Sequence, residues 1–117
     1  MTRKADLEDW FAAQLDDAGI EYEREYRFAK HLRRPDTGRP YMYRPDFFIQ
    51  PDILVEVEGG IWTGGRHTQP KGFIADIEKY NLAQRLGYRV IRTHRATIKD
   101  ESAITLVVEM VNEREAA

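Results

Sequence analysis

Two stretches decide the fold, Arg44-Pro45-Asp46-Phe47-Phe48-Ile49 and Leu54-Val55-Glu56-Val57-Glu58-Gly59-Gly60. Each is typical of a short strand in which acidic residues interrupt an apolar, β-prone run. Nine residues lie between Asp46 and Glu56, which is enough for one strand, a tight turn and the start of the next strand. If the strands pair as a hairpin, the two carboxylates lie side by side. They then repel each other unless a cation or a proton lies between them.

The remaining sequence predicts a single α+β domain, residues 1–117, around this hairpin. Apolar residues recur at helical spacing over residues 6–18, 73–86 and 100–113, and β-prone patterns cover residues 20–29, 41–49, 53–57 and 88–92. Turn-forming proline and glycine mark loops over residues 30–40 and 59–71. The predicted order is α-β-β-β-α-β-α, with helices flanking a mixed sheet in three layers.

The composition is that of an ordinary globular protein, with 42% apolar and 32% charged residues. No run approaches the roughly 18 apolar residues that a membrane span needs, and the first residues lack an apolar signal-peptide core. Because the chain has no cysteine, disulfides and thiolate metal sites are excluded. We therefore expect a cytoplasmic protein with no membrane partner.

The net charge of −2 is not that of a strongly basic nucleic-acid-binding protein, but the charge is unevenly distributed. Seven cations and two acids lie between Arg24 and Arg44. This distribution predicts either a basic face that contacts phosphates or a solvated loop that happens to be basic. The cations expected to contact phosphates are Arg27, Lys30, Arg33, Arg34, Arg39 and Arg44.

The acidic hairpin predicts a metal site. Hard divalent cations such as Mg²⁺ take oxygen ligands and usually keep several waters, so one or two carboxylates and a backbone carbonyl suffice. Asp46, Glu56 and the carbonyl of Val57 form such a set. Glu58 faces the same side of its strand as Glu56 because side chains alternate. Three converging carboxylates are costly to keep ionised without a cation, although a solvated sheet edge would carry the same sequence pattern.

Four ordered motifs extend beyond the hairpin. They are Asp46-Phe47, the run Val-Glu-Val-Glu-Gly-Gly at 55–60, Asp76 with Lys79, and the run Gly-Tyr-Arg-Val-Ile-Arg at 87–92. Together they resemble the PD-(D/E)XK nuclease superfamily, most closely its small stand-alone phage-type and very-short-patch-repair-like members. The likeness covers about residues 7–93. It implies a restriction-endonuclease-like core with the element order given above.

The resemblance implies a Mg²⁺-dependent endonuclease, with Mn²⁺ able to substitute, in which an activated water attacks the scissile phosphorus and leaves 5′-phosphate and 3′-hydroxyl ends. The implied partner is duplex or branched DNA, in phage or prophage replication, recombination or repair, within the host cytoplasm. Many such enzymes act as homodimers. The alternative is a catalytically inactive nucleic-acid-binding domain on the same fold, which binds in a salt-dependent manner without cleavage.

One position departs from the superfamily, whose lysine two residues after the second acid is replaced by Glu58. In the implied mechanism that lysine positions the attacking water or stabilises the charged transition state. Lys79 is the first choice as its substitute, since some members supply the lysine from the following helix, and Lys71 and Arg66 are alternatives. The competing interpretation of Lys79 is an exposed lysine paired with Asp76. Glu58 could instead bind a second metal ion.

Three further side chains are candidate accessory groups. Glu8 resembles the acid that several relatives direct at the metal from their first helix, and a solvated acid would give the same pattern. Gln84 falls on the apolar stripe of Phe73 and Tyr80, where an amide needs a partner, either in the site or on buried backbone. His67, in the glycine-rich loop, is a candidate proton carrier or phosphate contact.

Overall fold

The structure is a computed structural model, and it describes residues 3–59 and 70–116. Its elements are α1 (Lys4–Asp17), β1 (Glu23–Arg24), β2 (Phe47–Ile49), β3 (Ile53–Val57), α2 (Pro70–Arg85), β4 (Arg89–Thr93), α3 (Arg95–Lys99) and α4 (Ser102–Ala116). The predicted α+β class is confirmed, and the short helix α3 is an element that the sequence did not predict. Within these ranges, no helix is long and apolar enough to cross a membrane.

The strands of the described ranges form one sheet in the order β1-β2-β3-β4. β1 and β3 both pair antiparallel with β2, whereas β4 pairs parallel with β3, so the predicted mixed sheet is confirmed. The register pairs Phe47 with Val55. Asp46 precedes Phe47 and Glu56 follows Val55. In this antiparallel pair Asp46 therefore lies opposite Glu56, as the hairpin prediction required.

Side chains of β3 alternate between two apolar cores. Val55 and Val57 belong to the core beneath α1, α3 and α4, whereas Leu54 belongs to the core beneath α2. All five residues of β3 are buried, because helices cover both faces of this strand. Glu56 and Glu58 follow Leu54 at two-residue spacing, so both carboxylates project toward the α2 face.

The predicted strands over residues 20–29 and 41–49 are too long, because β1 has two residues and β2 has three. Glu25 adopts a left-handed backbone conformation, with φ of 54°, and the strand ends before it. Beyond this point, aromatic residues such as Phe28 and Tyr43 pack over the α2 face as loop side chains. The alternating aromatic pattern therefore reflects the packing of an irregular segment and not strand pairing.

The predicted core stripe of α2 is also wrong. Phe73 and Ile77 are 59% and 48% exposed, whereas Asp76 and Ala83 are buried. Asp76 and Lys79 face the acidic end of the sheet, whereas Phe73 and Ile77 face solvent. Both pairs of residues are spaced so that they share one side of a helix, so spacing alone does not decide which side is buried. The inward side of α2 thus combines an ion pair with the sheet, described below, with the buried side chains of Leu82 and Ala83.

Candidate active site

The two carboxylates of the hairpin, Asp46 and Glu56, are here called the acid pair. Both residues are 8% exposed. The Oδ2 atom of Asp46 accepts a hydrogen bond of 2.8 Å from the backbone N–H of Val57, which fixes the orientation of this carboxylate. The acid pair therefore lies at the end of β3 on adjacent strands, in the position that the sequence predicted.

Lys79 reaches the acid pair from α2. Its Nζ atom lies 2.9 Å from Oε2 of Glu56 and 3.9 Å from Oδ1 of Asp76. The Lys79 side chain is only 12% exposed, so the interpretation of Lys79 as an exposed helix lysine is wrong. Lys79 therefore lies within ion-pair distance of the acid pair, and its role as a substitute for the superfamily lysine remains a prediction.

Glu56 lies in an environment that penalises its charge. Apolar atoms of Phe28, Leu54 and Val90 line the same small cavity as Glu56 and Lys79. Burial raises the pKa of the Glu56 carboxyl above its ordinary value of 4.5, Lys79 opposes that rise, and the charges of Asp46 and Glu58 add to it. A cation beside this carboxylate therefore favours its ionised form.

The first turn of α1 contributes a second lysine, Lys4, that the sequence did not indicate. Its Nζ atom lies 2.8 Å from Oδ1 of Asp46 and 3.0 Å from Oε2 of Glu8. Arg24 of β1 approaches Glu8 at 3.7 Å. Glu8 thus lies beside the acid pair, connected to it through Lys4, and its side chain is only 16% exposed. The interpretation of Glu8 as a solvated helix acid is wrong.

Arg92 of β4 neutralises Glu58, the acid that stands in place of the superfamily lysine. The guanidinium Nε and Nη2 atoms lie 2.7 Å and 2.6 Å from the same Glu58 oxygen. The guanidinium also lies over the ring of Tyr80, 4.6 Å from its centroid. Burial, with the nearby carboxylates of Glu56 and Glu58, raises the pKa of the Tyr80 hydroxyl. Arg92 is about half-exposed, so its guanidinium reaches solvent at the edge of the site.

The remaining predicted site residues are distributed as follows. Asp76 is buried beside Lys79, and Lys71 is exposed at the start of α2. Gln84 is exposed, so its predicted place on a buried apolar stripe is wrong, since α2 turns a different face inward. Arg66 and His67 lie outside the described residues.

The basic segment, residues 27–44, divides into held and exposed cations. Arg27 donates to the carbonyl of Tyr41 at 2.9 Å, and Arg34 pairs with Asp36 and with Glu78 of α2. These two guanidinium groups are committed to contacts within the protein. The exposed cations of the segment are Lys30, Arg33, Arg39 and Arg44.

The donor set fits one hard divalent ion more readily than two. Within residues 3–59 and 70–116, no group of three or more His, Asp and Glu side chains is arranged to hold an ion. Glu58 is engaged by Arg92, which argues against a second ion there. The acid pair supplies two adjacent carboxylates, and oxygen donors of this kind suit Mg²⁺. An ion on this pair would have to compete with the ammonium groups of Lys4 and Lys79.

No protein-family model matches the sequence, and comparisons with curated proteins and with solved structures likewise give no match. The nuclease resemblance therefore rests on the four motifs alone. The geometry adds the contacts among their side chains, which join the second motif to the third and fourth through Lys79 and Arg92.

Proposed function

We propose that this protein is a metal-dependent DNA endonuclease with a restriction-endonuclease-like core. One observation carries the proposal: the acid pair lies on adjacent antiparallel strands, and the Lys79 ammonium lies 2.9 Å from Glu56. Two carboxylates and a lysine are the groups that the resemblance to the PD-(D/E)XK superfamily implies for hydrolysis of a phosphodiester at a metal centre. Here the lysine comes from α2 instead of β3.

Asp46, Glu56 and the Val57 carbonyl would hold Mg²⁺, for which Mn²⁺ would substitute. When bound, the ion would lower the pKa of a coordinated water and offset the charge of the phosphate. The hydrogen bond from the Val57 N–H keeps the Asp46 carboxylate oriented toward this position, so the backbone of β3 prepares the site.

The chain's own cations supply the remaining electrostatic stabilisation. Lys79 carries positive charge into a largely buried site, where charge stabilises developing negative charge more strongly than it does in water. Arg92, held by Glu58 and Tyr80, is positioned to contact a phosphate at the rim. Hydrolysis would then cleave the bond to the 3′ oxygen and leave 5′-phosphate and 3′-hydroxyl ends.

DNA is the proposed substrate because of the basic segment. Its exposed cations are suited to phosphate contacts, which position a duplex or a branch without reading sequence. Arg44 precedes Asp46 by two residues, so this segment leads directly into the acid pair. A phage or prophage role in replication, recombination or repair follows from the resemblance described above, as does the option of a homodimer.

Cleavage of supercoiled plasmid and of branched DNA tests the proposal, with Mg²⁺ compared against EDTA. The variants Asp46→Asn, Glu56→Gln and Lys79→Met should each lose nearly all activity. Asp17→Asn, which removes an exposed acid of α1, should retain it. Retained cleavage in both Asp46→Ala and Glu56→Ala would overturn the assignment.

A second candidate is a nucleic-acid-binding domain without catalytic activity. The observation that favours it is that Lys4 and Lys79 already neutralise the acid pair, so the site is charge-balanced by the protein itself. This candidate predicts DNA binding that weakens with salt and is the same in Mg²⁺ and EDTA. Lys79→Met would then leave DNA binding almost unchanged, and no condition would give nicked product.

A further inference from the structure

The geometry points to Lys4 as the residue that sets the affinity of the acid pair for a divalent cation. The Lys4 ammonium lies 2.8 Å from Oδ1 of Asp46. A metal ion bound by that oxygen must displace the ammonium. Glu8, on the next turn of the same helix, accepts the ammonium when it leaves. This inference rests on the metal site of the proposed function and assigns to the first turn of α1 a part in that site.

Lys4 is the lysine that can yield. Its side chain is 45% exposed, whereas that of Lys79 is 12% exposed. The Lys4 ammonium can therefore move toward solvent, and the metal ion then takes its place as the cation beside the Asp46 carboxylate. It already contacts Glu8 at 3.0 Å, so a shift away from Asp46 keeps one ion pair intact. Lys79 has no comparable exit, because only 12% of its side chain is exposed.

Asp46 cannot avoid the competition by rotating. Its Oδ2 atom is held by the N–H of Val57 at 2.8 Å, which leaves Oδ1 as the oxygen that faces Lys4. Both cations would use this one atom. Two positive charges at one carboxylate oxygen repel strongly at such distances, so binding of the metal ion and the Lys4 contact exclude each other.

Helix stability does not explain a lysine at this position. α1 begins at Lys4, its N-cap is Arg3, and no side chain caps its first turn. Cations at a helix N-terminus oppose the helix dipole. The helix is instead anchored by Leu7, Phe11 and Leu15, which are almost fully buried. The Lys4 contact is therefore better explained by the acid pair than by docking of α1.

The stem of Lys4 is placed by close contact with Gly59. A Cβ atom added at Gly59 would lie 2.7 Å from the Cβ and 3.0 Å from the Cγ of Lys4, which is too close. Glycine directly after Glu58 thus allows α1 to approach the end of β3. This approach brings the ammonium within reach of Asp46.

The test is Mn²⁺ binding without DNA, measured from the signal of free Mn²⁺ by electron paramagnetic resonance. Lys4→Met should bind Mn²⁺ about tenfold more tightly than the wild type, because a competing unit charge is removed. Lys4→Arg, which keeps the charge, should stay within about twofold of the wild type. The matched control is Arg3→Met, which removes an equal charge one residue away but pairs with Asp6, and it should change affinity less than twofold.

Glu8→Gln provides an independent variant, because it removes the acceptor that receives the displaced ammonium. Its Mn²⁺ affinity should fall about threefold or more. An affinity of Lys4→Met equal to or weaker than that of the wild type would overturn the inference. So would tighter binding by Glu8→Gln, or an equal gain in Arg3→Met.

Asp46→Asn separates this inference from the proposed function. If the wild type binds Mn²⁺ and Asp46→Asn does not, the metal site stands whatever the behaviour of Lys4→Met. Binding by Lys4→Met but not by the wild type would support the inference in its strongest form. Absence of binding in both proteins would overturn the inference together with the metal site.

Discussion

Removing Lys79 should destabilise the protein in a pH-dependent manner. The Lys79 and Glu56 charges are 2.9 Å apart and both side chains are largely buried. At an effective dielectric constant of about 20, their gross attraction is about 6 kcal/mol. Part of this is offset by the cost of desolvating the two ions. Because Lys79→Met leaves a buried carboxylate unpaired, we expect a loss of about 3–5 kcal/mol at about pH 8.

The loss should shrink as the pH falls. The folded-state pKa of Glu56 already exceeds its ordinary value of 4.5, and Lys79 is the group that opposes this rise. Without Lys79 the pKa rises further, so the folded protein binds this proton more tightly than the unfolded chain does. Stability attributable to Glu56 is then present below about pH 4.5 and is lost as the pH rises through the folded-state pKa.

Urea denaturation at about pH 5 and about pH 8 measures both effects. The double variant Lys79→Met with Glu56→Gln removes the unpaired charge and should recover most of the loss at pH 8. The matched control is Lys71→Met, an exposed lysine of the same helix, which should change stability by less than about 0.5 kcal/mol. A loss below about 1 kcal/mol, or one that is the same at both pH values, would refute the reasoning.

Three further predictions concern the surroundings of the site. Phe28→Ala removes a 1% exposed side chain of the core beneath α2 and should cost about 3–5 kcal/mol in urea denaturation; a cost below about 1 kcal/mol would contradict the described packing. Replacing the exposed Arg33 and Arg39 with glutamine should reduce the slope of log affinity against log salt for DNA binding by about two phosphate contacts, measured by fluorescence anisotropy. An unchanged slope would show that neither arginine contacts a phosphate. Gly59→Ala should cost about 1–3 kcal/mol of stability by overpacking; in a Lys4→Gly background, which lacks the colliding Cβ and Cγ, the same substitution should cost less than about 1 kcal/mol, and an undiminished cost would point to another clash.

The acidic hairpin could be predicted because its information is local. Two paired strands are predicted by the nine residues between Asp46 and Glu56 and by the alternating pattern in β3. The observed register, in which Phe47 pairs with Val55, agrees with this prediction. Lys79 could be predicted for a similar reason. Its spacing from Asp76 places both on one helix face, whatever that helix packs against.

Lys4 and Arg92 could not be predicted, because their partners depend on docking and register. Arg92 reaches the site since β4 pairs parallel with β3 and sets Arg92 beside Glu56. The sequence pattern of β4 does not specify that register. Lys4 depends on how α1 approaches Gly59. The one visible signal was the spacing of Lys4 and Glu8, which suits an ion pair on a helix.

The face of α2 was mispredicted for a different physical reason. The helix carries apolar residues on two sides, and hydrophobic spacing alone favours the side with Phe73 and Ile77. The buried side instead carries Asp76 and Lys79. Hydrophobic periodicity depends on apolar residues alone, so it does not detect a lysine whose ion-pair partner lies on a strand.

The ion pairs of the site join parts of the chain that are distant in sequence. Glu56, Glu58 and Asp46 come from neighbouring strands, yet their cations come from α2, β4 and α1, which lie 23, 34 and 42 residues away in the chain. A partly folded chain that contains only the hairpin therefore has its carboxylates together with none of their counter-charges. Such a chain is disfavoured by repulsion among its own acids, and the complete set of ion pairs requires elements from both ends of the described sequence. During synthesis, Glu58 would lack its partner Arg92 until β4 has left the ribosome, so the full set of ion pairs can form only after that strand is available.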